Sequence, residues 1–525
     1  MRTHVVVALS CLVTLGAGGA AQTRSPGVAA FLESGDSTAV LRLIEQGADP
    51  NLPLSDGTTP LHLAAEHENA AIVKALIARG ANVKAANRYG VQPLSVAAAT
   101  GNAAIITSLL DAGADPNTVA AEGETALMAA ARTGRVDAIK ALIARGANVQ
   151  ARETWREQTA LMWAAAEGHA DAIAELASAG ADVQARSSGG FTALLFATRG
   201  GHIDAVKRLL AAGANVNDAA TDTTRALTMA IVNAHYELAG VLLEHGADPN
   251  ASDPRGSALI ALSFMRSPGY ASAPPRSATG TLDSLDLARA LLKRGADANA
   301  RIGWKEIPFD RDLGMVRSPV GISIGRNWLS FVGATSFYIA AKGADLGLMK
   351  LLVEHGADPK ASTVQGVTPL MAAAGLGFWD GESPGPESGV PENQALEAVK
   401  LALELGNDVN AVTDYGETPV AGDPRVLLRR HPLNLGDFGE NALGDMRWGG
   451  STALHGAALR GADSIVKFLV EKGARVDAPN KLGWTPLTVA NGVFVANTEK
   501  RWPSTVALLQ ELEGRRPEST TGAVR

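Results

Sequence analysis

The chain has 525 residues, of which 46% are hydrophobic and 19% are charged, and its mean hydropathy is +0.05. This composition excludes an intrinsically disordered chain and a protein that crosses a membrane many times. The net charge of −7 and the lack of a long Lys/Arg run argue against nucleic acid or an anionic membrane surface as the partner.

The first segment of the chain predicts a cleaved signal peptide over residues 1–21. A short apolar run, residues 5–15, follows Arg2, and small residues continue as far as Ala21. An anchor helix is the alternative, but the run is short for a membrane span. Cys11 is the only cysteine and lies in this segment, so the mature chain contains no disulfide. Export without disulfides favours a bacterial periplasm, or secretion, as the location.

A repeat of about 33 residues occupies most of the remaining chain. Gly-Ala pairs recur in steps of 33, 33, 33, 34, 33 and 33 residues, at Gly47, Gly80, Gly113, Gly146, Gly180, Gly213 and Gly246. A second phrase keeps the same register, for example Thr59-Pro60-Leu61-His62 and Thr159-Ala160-Leu161-Met162. Each unit predicts two helices, because Thr caps a helix start and Gly permits the positive φ that follows a helix end. A single helix pair cannot bury its apolar face, so the pairs must stack.

The period and the phrase together resemble the ankyrin repeat family. The resemblance implies an all-α fold, a solenoid of about twelve helix-turn-helix units whose concave face and finger loops bind a protein. Later helix-ending glycines come at longer steps, which indicates loop insertions in the C-terminal half: Gly295, Gly356, Gly406, Gly473 and Gly514. We assign repeat arrays to residues 25–302 and 333–514, an insertion to residues 303–332, and a disordered tail to residues 515–525.

The insertions are of two kinds. Residues 266–281 and 375–394 are rich in Gly, Pro and Ser, fall between the two helices of a unit, and predict solvated loops. Residues 303–331 and 420–449 fall in the finger region, where ankyrin proteins usually bind their partners. Their tryptophans either anchor the insertion, which we favour, or contact the partner. These candidate contacts are Trp304, Trp328 and Trp448.

No residue pattern predicts catalysis, a metal site or a cofactor. Three histidines recur at 33 residues, each before a second helix: His169, His202 and His235. Since packed helices lie roughly 8–10 Å apart, they cannot share one metal ion. His62 and His455 end the Thr-Pro-Leu-His type of phrase, a structural hydrogen-bonding position in this family. Residues 321–325 match G-x-S-x-G, but the insertion cannot hold the α/β sheet that this motif needs.

The resemblance implies that partner contacts come from finger tips and from the exposed ends of first helices. The finger positions hold Arg88, Tyr89, Trp155, Arg156 and Tyr415. The first-helix positions hold Glu66, His67, Arg132, Glu167, Arg199 and Asn233. Trp, Tyr and Arg dominate the binding energy of protein interfaces. We assign Trp163, Phe196 and Met229 to packing, because they hold the core position of Leu63.

These observations support three functional hypotheses. The leading one is a monomeric, non-enzymatic scaffold without a cofactor that binds a protein partner through the concave groove. The second is an enzyme or small-ligand binder built from the Trp- and Arg-rich insertions, which requires residues 303–332 and 420–449 to form one pocket. The third is a secreted effector that acts on a host cell.

Overall fold

The computed structural model describes residues 28–33, 37–253, 256–267, 278–302, 309–310, 315–316, 333–377, 390–414, 419–420, 423–427, 448–495, 498–499 and 501–514. The predicted signal peptide, the predicted tail and most of the insertions lie outside these residues, so those interpretations stay predictions. Contacts divide the chain into two compact units, Met1–Ala130 with Lys140–Asn148 and Ala131–Ile139 with Val149–Arg525.

The described residues form twelve helix pairs, as the repeat count predicts, with odd numbers for first helices and even numbers for second helices. The first unit contains α1 (Val28–Glu33), α2 (Ser37–Glu45), α3 (Pro60–Glu66), α4 (Ala70–Ala78), α5 (Pro93–Thr100) and α6 (Ala103–Asp111). The boundary between the units passes through α7 (Ala126–Thr133) and α8 (Val136–Ala144).

The second unit continues the same alternation of helices. Its helices are α9 (Ala160–Ala166), α10 (Ala170–Ser178), α11 (Ala193–Gly200), α12 (Ile203–Ala211), α13 (Ala226–Val232), α14 (Tyr236–Glu244), α15 (Ala258–Arg266), α16 (Ser284–Lys293), α17 (Ser336–Lys342), α18 (Leu346–Glu354), α19 (Pro369–Ala374), α20 (Glu392–Glu404), α21 (Ala453–Arg460), α22 (Asp463–Glu471), α23 (Pro486–Ala490) and α24 (Pro503–Gly514). Among the described residues, this confirms the all-α class for the array.

Short antiparallel strand pairs interrupt the helical pattern, which the sequence reading did not anticipate. They are β1 (Phe309–Asp310) with β2 (Met315–Val316), β3 (Pro419–Val420) with β4 (Asp423–Leu427), and β5 (Phe494–Val495) with β6 (Thr498–Glu499). The first two pairs fall in the finger insertions, and the third lies between α23 and α24. Each has at most five residues per strand, so none forms a sheet of the size that the G-x-S-x-G motif requires.

Helices stack on helices of their own kind within each unit. In the first unit α3 packs between α1 and α5, and α4 packs between α2 and α6. In the second unit the first helices stack from α9 to α23 and the second helices from α10 to α24. The cores are apolar: Leu61, Ile72 and Leu76, for example, are fully buried. Burying a side chain of this size contributes about 1.5–3 kcal/mol, which explains why single pairs do not stand alone.

The threonines cap the first helices as the repeated phrase predicts. Thr159 Oγ1 accepts a hydrogen bond from the N–H of Met162 at 3.4 Å, and Thr335 Oγ1 accepts one from Tyr338 at 3.3 Å. In α21 the cap is reciprocal, because the N–H of Thr452 donates to Nδ1 of His455 at 3.1 Å. Nδ1 therefore accepts and Nε2 carries the proton of the neutral ring.

The predicted helix-ending glycines adopt left-handed backbone, with one exception. Eleven of the twelve, from Gly47 to Gly473, have φ between 82° and 95°. Gly514 does not; it is instead the last residue of α24. At all eleven positions nothing lies within 4 Å of the place of a Cβ, so a side chain there would be strained by the positive φ alone.

Side-chain amides connect successive fingers. Asn217 Nδ2 donates to the carbonyl of Gly246 at 3.0 Å, and its Oδ1 accepts from the N–H of Asp248 at 2.8 Å. Asn299 makes the same two bonds across the insertion, to Gly356 at 2.9 Å and from Asp358 at 2.7 Å. The contact between neighbouring units therefore has the same form whether or not an insertion separates them in sequence.

The finger insertions leave and re-enter the array at closed stems. Gly333 N–H donates to the carbonyl of Ile302 at 2.7 Å, and Ile302 N–H donates to that of Ala334 at 3.0 Å. Thr413 and Ser451 bracket the later insertion, and Thr413 N–H donates to the Ser451 carbonyl at 3.0 Å. The two ends of each insertion are thus adjacent, so the intervening residues are additions to an intact finger stem.

The recurring histidines, whose spacing excludes a shared metal ion, have structural roles. His169 Nε2 bonds the carbonyl of Arg132 at 2.9 Å, and His202 Nε2 bonds that of Ala166 at 3.1 Å. Each ring covers a left-handed glycine of the preceding unit, as His202 does at Gly168. The rings of His169 and His202 therefore satisfy carbonyls at the C-terminal ends of first helices, which have no partner within the helix.

Replacing Gly168 by Ala should destabilise the second unit more than replacing Gly180 by Ala. Both glycines have left-handed backbone, but a Cβ at Gly168 would lie 2.5 Å from Nδ1 of His202, whereas nothing lies within 4 Å at Gly180. We expect a loss of about 1 kcal/mol for G180A from backbone strain and about 3 kcal/mol for G168A from strain plus overpacking. Urea unfolding followed by circular dichroism measures both. Equal losses would contradict the packing role of His202.

Candidate partner-binding surface

The first unit presents a stacked pair of predicted contact residues at one finger tip. Tyr89 is 58% exposed, and the guanidinium of Arg88 lies 5.6 Å from the centre of its ring. Asn87 fixes the turn, because its Oδ1 accepts the N–H of Tyr89 and of Val91, each at 3.0 Å. A cation over an aromatic face is an attractive arrangement, so the two side chains form one rigid projection.

The second unit has a similar pair in the finger before α9. Trp155 is 68% exposed, and the guanidinium of Arg156 lies 4.1 Å from its ring centre. The turn is built around Glu153, whose buried carboxylate accepts the N–H groups of Trp155 at 2.6 Å, Arg156 at 2.8 Å and Gln158 at 2.8 Å. Burial raises the pKa of Glu153, but these three donors outweigh burial and the net pKa is lowered. The carboxylate stays ionised and holds the turn.

Glu153→Gln should loosen the Trp155 finger, because the amide nitrogen cannot accept the N–H donors that the carboxylate now satisfies. We expect the amide protons of Trp155, Arg156 and Gln158 to exchange with deuterium about tenfold faster, which corresponds to about 1.4 kcal/mol of local opening free energy. Glu157→Gln is the matched control, since Glu157 is exposed in the same turn. Equal acceleration in both variants would contradict this role of Glu153.

Two further arginines of the second unit lie against aromatic rings on first helices. The guanidinium of Arg132 lies 5.1 Å from the ring centre of Trp163. The guanidinium of Arg199 lies 5.1 Å from the ring of Phe196 and 6.0 Å from that of Phe191. Trp163 and Phe196 are each the fourth residue of their helices, α9 and α11, which stack on each other. The two rings therefore occupy equivalent places on adjacent helices. The arginines do not, because Arg132 reaches its ring from α7, whereas Arg199 lies on the same helix as Phe196.

The packing assignment of the three large first-helix residues holds in full for two of them. Phe196 is 6% exposed and Met229 is 4% exposed. Trp163 is only half-buried, and its Nε1 is buried without a hydrogen-bond partner in the described part of the chain. An unsatisfied buried donor costs about 1–3 kcal/mol, so Trp163 fits the packing role less well than the other two residues.

The other predicted first-helix contacts divide by exposure. Glu66 and His67 are exposed at the end of α3, and Glu167 is exposed at the end of α9. Asn233 is half-buried, and its Nδ2 donates to the carbonyl of Met229 at 2.9 Å, so it completes the end of α13. A side chain used in this way has less freedom to bind a partner.

One predicted contact is wrong. Trp448 is 1% exposed and packs edge to face on Trp484, with ring centres 6.3 Å apart. Its carbonyl also accepts the hydroxyl of Thr413 at the closed stem of the insertion. Trp448 therefore anchors the stem, which was the packing alternative. Trp304, Trp328 and Tyr415 lie outside the described residues, and so do most residues of the insertions that would have to form a shared pocket.

Exposed apolar side chains of the described residues lie in the fingers. The large ones are Leu52, Tyr89, Val119, Trp155, Val412 and Leu482. Three of them, Tyr89, Trp155 and Leu482, stand nine residues after a helix-ending glycine. Leu482 was missed by the sequence reading, although this register would have pointed to it. Fingers are therefore the places where the array offers apolar surface for binding.

Positive charge gathers at the last turns of the second unit's first helices. Within the described residues these turns hold five cations, Arg132, Arg199, Arg266, Lys342 and Arg460, against one acid, Glu167. Two of the cations have acidic neighbours: Arg266 is paired with Asp345, and Glu392 acts on Arg460. Burial and the nearby Arg460 lower the pKa of Lys342 to about 8. The helix dipole favours cations at these ends, but it does not account for the stacking of arginines on rings.

The described residues contain no group of three or more His, Cys, Asp or Glu side chains arranged to hold a metal ion. Across the same part of the chain, no helix is both long enough and apolar enough to cross a membrane. The geometry described above is that of an open surface lined by arginines and aromatic rings.

Comparison with known families agrees with the helix pairs and their register. The family described as ankyrin repeats (3 copies) matches residues 28–120, 109–187 and 185–253, and the family described as ankyrin repeat matches residues 449–481. The helix pairs in these segments therefore match the ankyrin repeat models. The first three matched ranges together run from α1 to beyond α14. The fourth range, residues 449–481, covers α21 and α22. Trp155, Arg132 and Arg199 lie within the matched segments.

The chain is also similar to several curated ankyrin repeat proteins. Ankyrin repeat and SOCS box protein 16 of Homo sapiens is 32% identical over 218 residues, which cover 39% of this chain and 44% of the relative. Ankyrin repeat and SOCS box protein 3 of Bos taurus is 31% identical over 131 residues, or 25% of this chain and 22% of the relative. Ankyrin repeat protein OPG189 of Variola virus is 32% identical over 95 residues, which cover 17% of this chain and 16% of the relative. The chain therefore spans less than half the length of these relatives.

Proposed function

We propose that the chain is a non-enzymatic scaffold that binds a protein partner through the finger tips and first-helix ends of its second unit. The observation that carries this proposal is that three exposed arginines, Arg132, Arg156 and Arg199, each lie within 5.1 Å of an aromatic ring centre. Arg and Trp are the residue types most enriched among binding hot spots. Stacking also restricts the arginines before binding, which lowers the entropy lost on association.

The exposure of Trp155 adds to the proposal. A side chain that is 68% exposed gains apolar burial only when another molecule covers it, and the Glu153 turn holds it in place without covering it. Removing an indole from water contributes on the order of 25 cal/mol for each Å² that is buried. We therefore expect truncation of Trp155 to weaken partner binding more than truncation of any other residue of this surface.

A photo-crosslinking amino acid placed at Trp155 tests the proposal in the cell that makes the protein. We expect a discrete crosslinked product that mass spectrometry identifies as one partner. The same amino acid at Lys207, an exposed residue on the second helix α12, is the matched control and should give no such product. Equal products from both positions, or none from Trp155, would overturn the proposed surface.

We also propose that the protein is exported from a bacterial cell and works in the periplasm. The support is the apolar and small-residue pattern of residues 1–21 and the absence of cysteine after Cys11. Fractionation of the native cell and sequencing of the mature N-terminus test this, with Gln22 expected as the first residue. Recovery with Met1 retained in the cytoplasm would refute export, and recovery only outside the cell would favour the effector hypothesis.

A further inference from the structure

We propose that the amine of Lys342 binds carbon dioxide reversibly as a carbamate, and that the charge of Arg460 stabilises this anion. Lys342 is the last residue of α17, and Arg460 is the last residue of α21. Both side chains are half-buried. The proposed function uses neither of them, so this inference goes beyond it.

The helix between the two residues allows Arg460 to act on Lys342. α19 packs on both α17 and α21, and it ends at Gly375, where φ is 109°. Cβ and Cδ of Arg460 each lie 3.2 Å from the place that a Cβ on Gly375 would take. The aliphatic part of Arg460 therefore lies against the bare end of α19, and the charge of its guanidinium acts on Lys342.

The acids close to Lys342 along the chain and on a packed helix are committed to other groups. Asp345, three residues after Lys342, pairs with Arg266 and caps α18. Glu392 begins α20, which also packs on α17, and its Oε1 accepts the N–H and the hydroxyl of Ser464 at 2.8 and 2.6 Å. Among the described residues, the amine of Lys342 forms no ion pair and no hydrogen bond. A half-buried amine thus lies near a cation without a counter-charge of its own.

These surroundings make Lys342 a nucleophile near neutral pH. Burial and, after it, the charge of Arg460 lower the pKa of Lys342 to about 8, because both disfavour the ammonium form. At pH 7.5 about a quarter of Lys342 is then the neutral amine, compared with about one in a thousand for an ordinary lysine. The neutral amine is the form that attacks an electrophile.

The reaction needs only dissolved carbon dioxide, with water as the proton acceptor. The nitrogen lone pair of Lys342 forms a bond to the carbon of carbon dioxide, and the electrons of one C–O π bond move to oxygen. The nitrogen then loses one proton to water, which leaves the carbamate, R–NH–COO⁻. Because the adduct is negative, it turns the repulsion between residue 342 and Arg460 into attraction. An aldehyde would instead give a protonated imine and keep the repulsion, so the charge of Arg460 favours carbon dioxide.

Chemical trapping tests the proposal on the full-length protein. The protein is equilibrated at pH 7.5 with ¹³C-labelled bicarbonate, carbamates are converted to stable ethyl esters with a trialkyloxonium salt, and peptides are mapped by mass spectrometry. We expect the labelled ester at Lys342 and about tenfold less, or lower still, at Lys350, an exposed lysine on α18. Equal labelling of the two lysines, or none at Lys342, would overturn the proposal.

Two substitutions separate the charge of Arg460 from its packing. Arg460→Lys keeps a cation and should retain the trapped carbamate at Lys342. Arg460→Met keeps an unbranched stem but removes the charge, so the yield should fall about tenfold. Circular dichroism establishes that each variant is folded, and if R460M does not fold, the comparison of Lys342 with Lys350 in the native chain decides. Equal yields from folded R460K and R460M would refute the role of Arg460.

The urea midpoint gives a second readout that does not depend on trapping. Because the carbamate is stabilised by Arg460 only in the folded chain, carbon dioxide should raise the midpoint of the native protein over that in sodium chloride of the same pH and ionic strength. Lys342→Met should abolish this response, and it should raise the midpoint without carbon dioxide because a cation that repels Arg460 is removed. Lys350→Met should respond like the native protein. A native midpoint that does not move, or a K342M midpoint that moves equally, would contradict the proposal.

Discussion

Replacing Asp345 by Ala should lower the free energy of unfolding of the second unit by about 3–5 kcal/mol. Asp345 forms a two-bond ion pair with Arg266, with Nε to Oδ2 at 2.6 Å and Nη2 to Oδ1 at 2.9 Å. The side chains are only 17% and 14% exposed, so removing the carboxylate leaves a largely buried cation without its counter-charge. Asp345 also caps α18 by accepting the N–H of Leu348 at 3.1 Å, which the alanine variant loses as well.

The matched control for this prediction is Asp286→Ala. Asp286 pairs with Arg289, but those side chains are 51% and 42% exposed, and a surface pair contributes about 1 kcal/mol or less. Urea unfolding by circular dichroism compares the two variants, and the double variant R266M/D345A should recover part of the loss because no buried charge is left. A D345A variant as stable as D286A would show that the ion pair contributes little.

Acid should destabilise the second unit through His455 between about pH 6.5 and pH 4. Burial lowers the pKa of His455 to about 4, despite the opposing hydrogen bond from its Nε2 to the Trp484 carbonyl at 2.9 Å. The folded pKa is below the unfolded value, so the unfolded chain takes up a proton first as pH falls. The contribution is fully present above pH 6.5 and is lost toward pH 4, by about 2.5 kcal/mol at pH 4.5.

His455→Met should remove most of this pH dependence. Methionine holds the same place in other repeats, and its thioether can still cap the helix there, since the Thr368 N–H contacts Sδ of Met371 at 3.5 Å. Urea unfolding at pH 7 and pH 4.5 should show a large loss in the native protein and a small one in the variant. If H455M loses as much stability as the native chain, the pH dependence comes from other groups.

The sequence predicted the repeats well because their signals are local and periodic. Thr159 caps its helix by accepting the N–H of Met162, three residues later. Gly180 adopts left-handed backbone where its helix ends and the next finger begins. Register then carries each position from repeat to repeat, which is why the number of helix pairs could be derived. The short strands escaped prediction because two-residue pairings leave no periodic pattern.

The candidate surface was predicted only in part, since residue type does not determine burial. Arg156 and Trp155 are neighbours in sequence, and their pairing could be anticipated. Arg132 and Trp163 are in different repeats, so their contact depends on how one helix pair lies on the next. Trp448 was predicted as a contact because it lies in an insertion, but its side chain is buried at the stem of that insertion. Tertiary packing decides between these outcomes.

A closed stem at Ile302 and Gly333 joins the two ends of the insertion. The geometry of the array therefore does not depend on how long the insertion is. Because the ends are already joined, doubling the intervening chain adds only about 0.6 kcal/mol of loop entropy and does not disturb the bonds of Asn299 with Gly356 and Asp358. Material grafted between those two residues would accordingly leave the neighbouring layers in register. The same joint offers a place to attach a reporter or an affinity tag beside the finger without rebuilding the scaffold.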